Sequence, residues 1–214
     1  MEMTTKNTVA KMRDICHELQ ARSGDEWYIS RHPSDPQYVQ HYILSDHKGR
    51  GVCLHVGGYG RDNRIEVTGD WPSYVDNAGD TQTLYPRDGC TTTEQGVYKA
   101  ITVSYDKSGE RIASDIRTRF WAGYLSNWEQ CKAKCLNYAK AGKEALAAAT
   151  TLAKTLKAGK VTPHGSHASF YLNSVGTTSV YSYSDGVSVS LPAHVSSMNL
   201  SKAERVLKIL LEND

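Results

Sequence analysis

Ile101-Thr102-Val103-Ser104-Tyr105-Asp106-Lys107-Ser108-Gly109-Glu110-Arg111-Ile112-Ala113-Ser114-Asp115-Ile116 carries the chain from one kind of structure into another. Ile101 and Val103 alternate with Thr102 and Ser104, the period-2 pattern of a strand with one buried face. Asp106 to Gly109 is a turn. From Glu110 the apolar residues recur every three or four positions as far as about Tyr138, so this stretch is the longest helical pattern in the sequence. On a helical wheel Ile112, Ala113, Ile116, Phe120, Tyr124 and Cys131 form one core-facing stripe. Arg111, Asp115 and Arg119, four apart, form an opposite charged row that can pair with itself. Trp121, Leu125 and Trp128 point to a third side, with Arg117 and Lys132 beside them, and that side needs a partner.

The pattern predicts the partner in a second helix, Gly142 to Ala158. Its stripe of Ala145, Leu146, Ala149, Leu152, Ala153 and Leu156 permits close helix approach, and Lys143, Lys154 and Lys157 cluster on its other face. Working back toward the N-terminus, Val9, Met12, Cys16 and Leu19 mark an amphipathic helix from Thr5 to Arg22, ended by Gly24. Short strands are expected at Trp27–Arg31, Tyr38–Leu44, Val52–Val56 and around Ile65 and Val67. His32-Pro33-Ser34-Asp35-Pro36 reads as a rigid turn, because two prolines exclude a central strand. Gly57 to Asn63 reads as a hairpin loop; it joins two strands and lacks the Gly-Lys-Ser/Thr of a phosphate cradle. Gly69 to Pro72 closes this meander. The polar stretch from Tyr74 to Gly96 is a long excursion with a short hairpin around Thr81 to Tyr85.

Beyond Gly159 the period returns to two. Ser169–Leu172 and Ser179–Ser184 are strands, and Val187, Val189 and Leu191 alternate with Ser188 and Ser190 across a hairpin turn at Asp185-Gly186. Ser201-Lys202-Ala203-Glu204 is a capping box opening a last helix with Val206, Leu207, Leu210 and Leu211. The expected fold class is α+β: an antiparallel sheet packed by the N-terminal helix and a central helical pair, followed by a β-hairpin unit and a terminal helix. Residues 1–160 form the main domain and residues 161–214 a C-terminal unit on the same core.

At 214 residues the chain can bury a real core. Thirteen tyrosines against two phenylalanines suit half-buried sheets, where the ring packs and the hydroxyl stays wet. No run is long and apolar enough for a membrane span, and Met1 to Gln20 lacks the apolar centre of a signal peptide. Five cysteines, at 16, 53, 90, 131 and 135, make an odd set without the look of a disulfide framework. Reduced thiols and a cytoplasmic location are expected.

The net charge of +2 conceals an asymmetry. Between Lys107 and Lys160 eleven Lys and Arg face four Asp and Glu, a segment charge of +7 that leaves −5 for the rest of the chain. Such a lobe offers an electrostatic footprint for phosphate backbones or an acidic protein. Arg117, Trp121, Trp128, Lys132, Lys143, Lys154 and Lys157 are therefore the candidate partner-binding residues, with the tryptophans either stacking on bases or packing between the helices. Cys131, Cys135, His164 and His167 could assemble a Cys2His2 metal site, although their spacing matches no common zinc template and buried thiols are routine. No Gly-x-Ser-x-Gly is present, no carboxylate pair stands out, and His41, His55 and His194 lie on or beside strands where a hydrogen-bonded histidine is the default. No cofactor is implied.

Gly69-Asp70-Trp71-Pro72, Ile101-Thr102-Val103-Ser104 and Ile112-Ala113-Ser114-Asp115-Ile116-Arg117-Thr118-Arg119 with Tyr124 resemble a group of proteins encoded by phages and other mobile elements. The resemblance covers residues 64–125, and no activity or catalytic residue comes with it. It implies a small protein that binds host machinery, an inhibitor of CRISPR or another defence system being one such class. The expected partner is a host protein or ribonucleoprotein complex, with direct DNA or RNA binding as the alternative, a metal-dependent enzyme third, and a homo-oligomer possible on the same chain.

Overall fold

A computed structural model describes residues 5–31, 40–57, 63–86, 100–172, 176–183, 186–191, 198–199 and 205. The class is α+β, and the chain divides into two compact units: residues 1–72 with 84–132, and residues 73–83 with 133–214. The division falls between Lys132 and Ala133, inside the longest helix, rather than near residue 160.

The first unit opens with α1, Thr5–Ser23. Gly24 ends it at φ +72°, donating its N–H to the Gln20 carbonyl, a left-handed cap that glycine adopts without strain. Five strands follow as a sheet in the order β1 (Trp27–Arg31), β2 (Gln40–Asp46), β3 (Gly51–Val56), β4 (Arg64–Asp70) and β7 (Ile101–Ser104), each pair antiparallel. Tyr42, Leu44, Val52, Leu54, Ile65, Val67 and Val103 are buried on one face, against Met12, Ile15 and Leu19 of α1; the alternation is clean in β4, whereas in β3 Cys53, on the other face, is buried as well. Tyrosine departs here from the half-buried sheet pattern: Tyr42, Tyr105 and Tyr124 are among the largest fully buried side chains, and of these only Tyr42 lies on a strand.

The strand-to-helix transition occurs as the sequence predicts. Ser108 caps α2 (Gly109–Asp115) by accepting the Arg111 N–H on its hydroxyl. A π-helical segment, Ile116–Trp121, comes next, and then α3, Ala122–Thr155. The wider π turn shifts the helix surface relative to a uniform wheel. Phe120 and its neighbour Trp121 are both buried in consequence, and so are Tyr124, Trp128 and Cys131.

The expected helical pair is one helix. α3 runs through Gly142 without a break, so the third side of the first segment is not covered by a second helix folding back. Gly142 reads as a helix start only because mid-helix glycine is unfavourable by about 1 kcal/mol against alanine. Its reason is packing in the second unit: a Cβ there would lie 3.0–3.1 Å from three atoms of the Asn77 side-chain amide, which donates to the Gly142 carbonyl.

Asn77 belongs to the turn of the hairpin β5 (Ser73–Val75) and β6 (Thr81–Thr83), which lies earlier than expected. The second unit also holds a five-stranded antiparallel sheet, order β12 (Met198–Asn199), β11 (Gly186–Ser190), β10 (Gly176–Tyr183), β9 (His167–Leu172), β8 (Thr162–Pro163). Ala168, Phe170, Leu172, Val180 and Val189 from the sheet and Ala149, Leu152, Ala153 and Leu156 from the helical stretch form its core, the alanines giving the close approach their spacing suggests. The turn around His32–Pro36, most of the Gly57–Asn63 loop, residues 87–96 of the long excursion, Cys90, Asp185, His194 and, apart from the helical residue Arg205, the terminal helix lie outside the described residues.

Candidate functional site

The candidate residues fall into two groups, one in each unit. In the first, Trp121 and Trp128 are 6% and 5% exposed and belong to the core. Trp121 packs on Trp27 and Tyr124 with ring centroids 5.1 and 5.2 Å apart, and the Arg50 guanidinium stands 5.9 Å from its ring. Arg50 is held by Asp46 at 2.7 Å and Asp25 at 2.8 Å. Burial works against its charge, but these carboxylates outweigh that and raise its pKa above the ordinary arginine value. For Trp121 the partner is therefore Trp27 of β1 with this ion-paired arginine, inside the unit. Trp128 lies under Lys132, whose ammonium is 5.8 Å from the ring centre. Arg117 is half-buried on the π segment, and Lys132 is exposed.

In the second unit α3 presents its lysines. Lys140, Lys143, Ala147, Thr150 and Lys154 are all exposed, and their spacing of three, four, three and four residues aligns them on one helix face. From Lys140 to Lys154 that face extends roughly 21 Å at 1.5 Å per residue. Lys140 pairs with Glu144 at 3.8 Å, an exposed contact worth little in water. Glu144 also accepts from the Ser182 hydroxyl at 2.8 Å, which ties it toward the sheet. Between Ala133 and Lys160 the sequence has six lysines and one carboxylate, Glu144. Lys140 joins the candidate set on this geometry, three residues before Lys143 on the same face.

Lys157 occupies a special backbone position. Thr155 ends the helix, and the N–H of Ala158 returns to the Ala153 carbonyl at 2.8 Å while Lys157 adopts φ +52°. This is a Schellman-type end with Lys157 where glycine is usual. Among the described residues it is the one non-glycine with positive φ. A lysine there pays backbone strain that a glycine would not.

The four metal candidates do not assemble into a site. Cys131 and Cys135 are 0% and 2% exposed, one helical turn apart, and serve as small core residues. His164 and His167 stack on each other with centroids 4.6 Å apart, continuing to Tyr181 at 4.8 Å; His164 Nε2 lies 2.9 Å from the Ser169 hydroxyl. Among the described residues no group of three or more His, Cys, Asp or Glu side chains is placed to hold a metal ion. No helix among them is long and apolar enough to cross a membrane. No family model, curated protein or solved structure matches the chain.

Proposed function

We propose that the chain is a binding protein that docks a polyanionic partner on the lysine face of α3. The observation that carries this reading is the alignment of Lys140, Lys143 and Lys154 on one exposed face, with Lys157 exposed just beyond the helix end. A row of cations with few local carboxylates is suited to a phosphate backbone, which gains affinity through counterion release. The resemblance to mobile-element proteins supplies the context: a host ribonucleoprotein complex, engaged to inhibit a defence system, is the leading partner. Direct binding of DNA or RNA is the second reading, and the same lysine face favours it.

The two separate in one design. Full-length protein and a Lys140→Glu/Lys143→Glu/Lys154→Glu variant are used to retrieve complexes from host lysate, with and without nuclease. In parallel, anisotropy is read on labelled duplex DNA and single-stranded RNA. Capture that survives nuclease and is lost in the variant supports the leading reading. Nucleic-acid binding with a log–log salt slope of about −3, abolished in the variant, supports direct binding. Equal behaviour of the two proteins in every assay removes the lysine face from function.

A further inference from the structure

A groove of about 350 Å³ opens on the first unit, between one flank of α1 and strand β1. Arg13, Cys16, His17 and Gln20 line it from the helix, and Trp27, Tyr28 and Ile29 from the strand. β1 ends the strand order of its sheet, so among the described residues its outer backbone edge has no neighbouring strand. An edge of this kind is a template for a further strand unless something blunts it. Here the register with β2 shifts between Ile29 and Arg31, a bulge that ends the regular edge after Ile29. What remains is the short run Trp27–Ile29, the same three residues that wall the groove.

The walls define the guest. The apolar part comes from half-buried Ile29, the Trp27 ring and the Cys16 thiol, which burial pushes up to about 12 so that it stays a neutral, apolar group at physiological pH. Arg13 and His17, both exposed, stand on the helix rim, and no carboxylate is among the lining residues. Glu18, 4.0 Å from His17, lies outside the lining and pairs with Arg22 at 3.6 Å. A helix running beside a strand edge, with a pocket part apolar and part polar and the Arg13 guanidinium on its rim, fits strand addition: main-chain hydrogen bonds hold the guest and alternate side chains select it.

We infer that the groove between α1 and β1 takes a short extended peptide, added as a strand beside Trp27–Ile29, with an apolar side chain toward Cys16 and Ile29 and a carboxylate toward Arg13 and His17. The bulge limits the paired stretch to about three residues, so affinity is modest and the partner is a linear segment rather than a folded face. None of the lysine-face residues lines the groove, and the peptide site does not depend on that reading.

The test uses full-length isotope-labelled protein and the peptide acetyl-Thr-Val-Ile-Val-Glu-Glu-amide. Amide resonances of Trp27, Tyr28 and Ile29 and the Trp27 indole are followed during titration. Saturable shifts with a dissociation constant on the order of 0.1–1 mM are expected. The same peptide N-methylated at alternate amides leaves them unmoved, and Arg13→Glu weakens binding about tenfold. Arg13 is exposed on α1, so that variant folds as the parent does. No shift at about 5 mM peptide, or equal binding of the N-methylated peptide, overturns the proposal. Shifts that grow with protein concentration alone assign the edge to a second copy of the chain and overturn it as well.

Discussion

The Tyr124 hydroxyl donates to the Asp70 carbonyl at 2.6 Å, and its ring lies over Gly69, where a Cβ would come within 2.7 Å of two ring atoms. The same hydroxyl accepts the Gly51 N–H at 2.9 Å, so one side chain from α3 closes two strands, β3 and β4. Burial pushes the phenol's pKa above its ordinary value and keeps it protonated as a donor.

Gly69→Ala forces that ring away and is expected to cost about 1–3 kcal/mol, the usual scale of overpacking. Tyr124→Phe removes the hydroxyl from both the Gly51 N–H and the Asp70 carbonyl and costs about 1–3 kcal/mol. Both losses are read by urea denaturation followed by tryptophan fluorescence, since all four tryptophans lie in the first unit. Because the sites share one contact, the double mutant should fall short of the summed losses.

In the second unit, Asn77 and Gly142 make a separate test. The Asn77 amide occupies the space of a side chain at 142. Gly142→Ala alone gains helix propensity but displaces Asn77 and its hydrogen bond, so it should be neutral or destabilising. In an Asn77→Ala background the same change should stabilise by about 1 kcal/mol. A double-mutant cycle by thermal denaturation reads the sign reversal, and a stabilising Gly142→Ala in the parent would sink the packing explanation.

This pair also shows what the sequence could and could not convey. Period-2 runs such as Val52–Val56 and Ile65–Val67 located their strands because alternation records burial directly. The turn from Asp106 to Gly109 was legible for a similar local reason, although the cap that Ser108 makes was not. Gly142 was not, because a glycine within a helical pattern looks the same whether it breaks the helix or admits a neighbour distant in sequence. The π segment was invisible on a uniform wheel, which put Trp121 and Trp128 on a side of their own. Of the candidate site, the lysine spacing was readable, whereas the left-handed backbone of Lys157 and the α1–β1 groove depend on tertiary placement.

Lys157→Gly separates stability from function. Removing a side chain from a left-handed helix end should stabilise the second unit by up to about 1 kcal/mol. If Lys157 extends the lysine face, the same change should weaken polyanion binding and reduce the salt slope by about one. Thermal denaturation and anisotropy on duplex DNA read the two effects. A gain in stability with unchanged binding confines Lys157 to a structural role.

His167 gives the second unit a pH dependence whose sign is fixed. Burial, with a further push from the stacked His164, lowers its pKa below the ordinary value of 6.5. The folded state therefore binds fewer protons than the unfolded chain just below that value, and the slope of stability against pH is positive there. The contribution is fully present above about pH 6.5 and is lost as pH falls through the folded-state value. Amide hydrogen exchange at Val180, which is fully buried opposite Ala168, reports on this unit alone. Protection at Val180 should fall between pH 7.5 and 5.5 in the parent, after correction for intrinsic exchange rates, and fall less in His167→Gln. Equal slopes in the two proteins would assign the pH dependence to other groups.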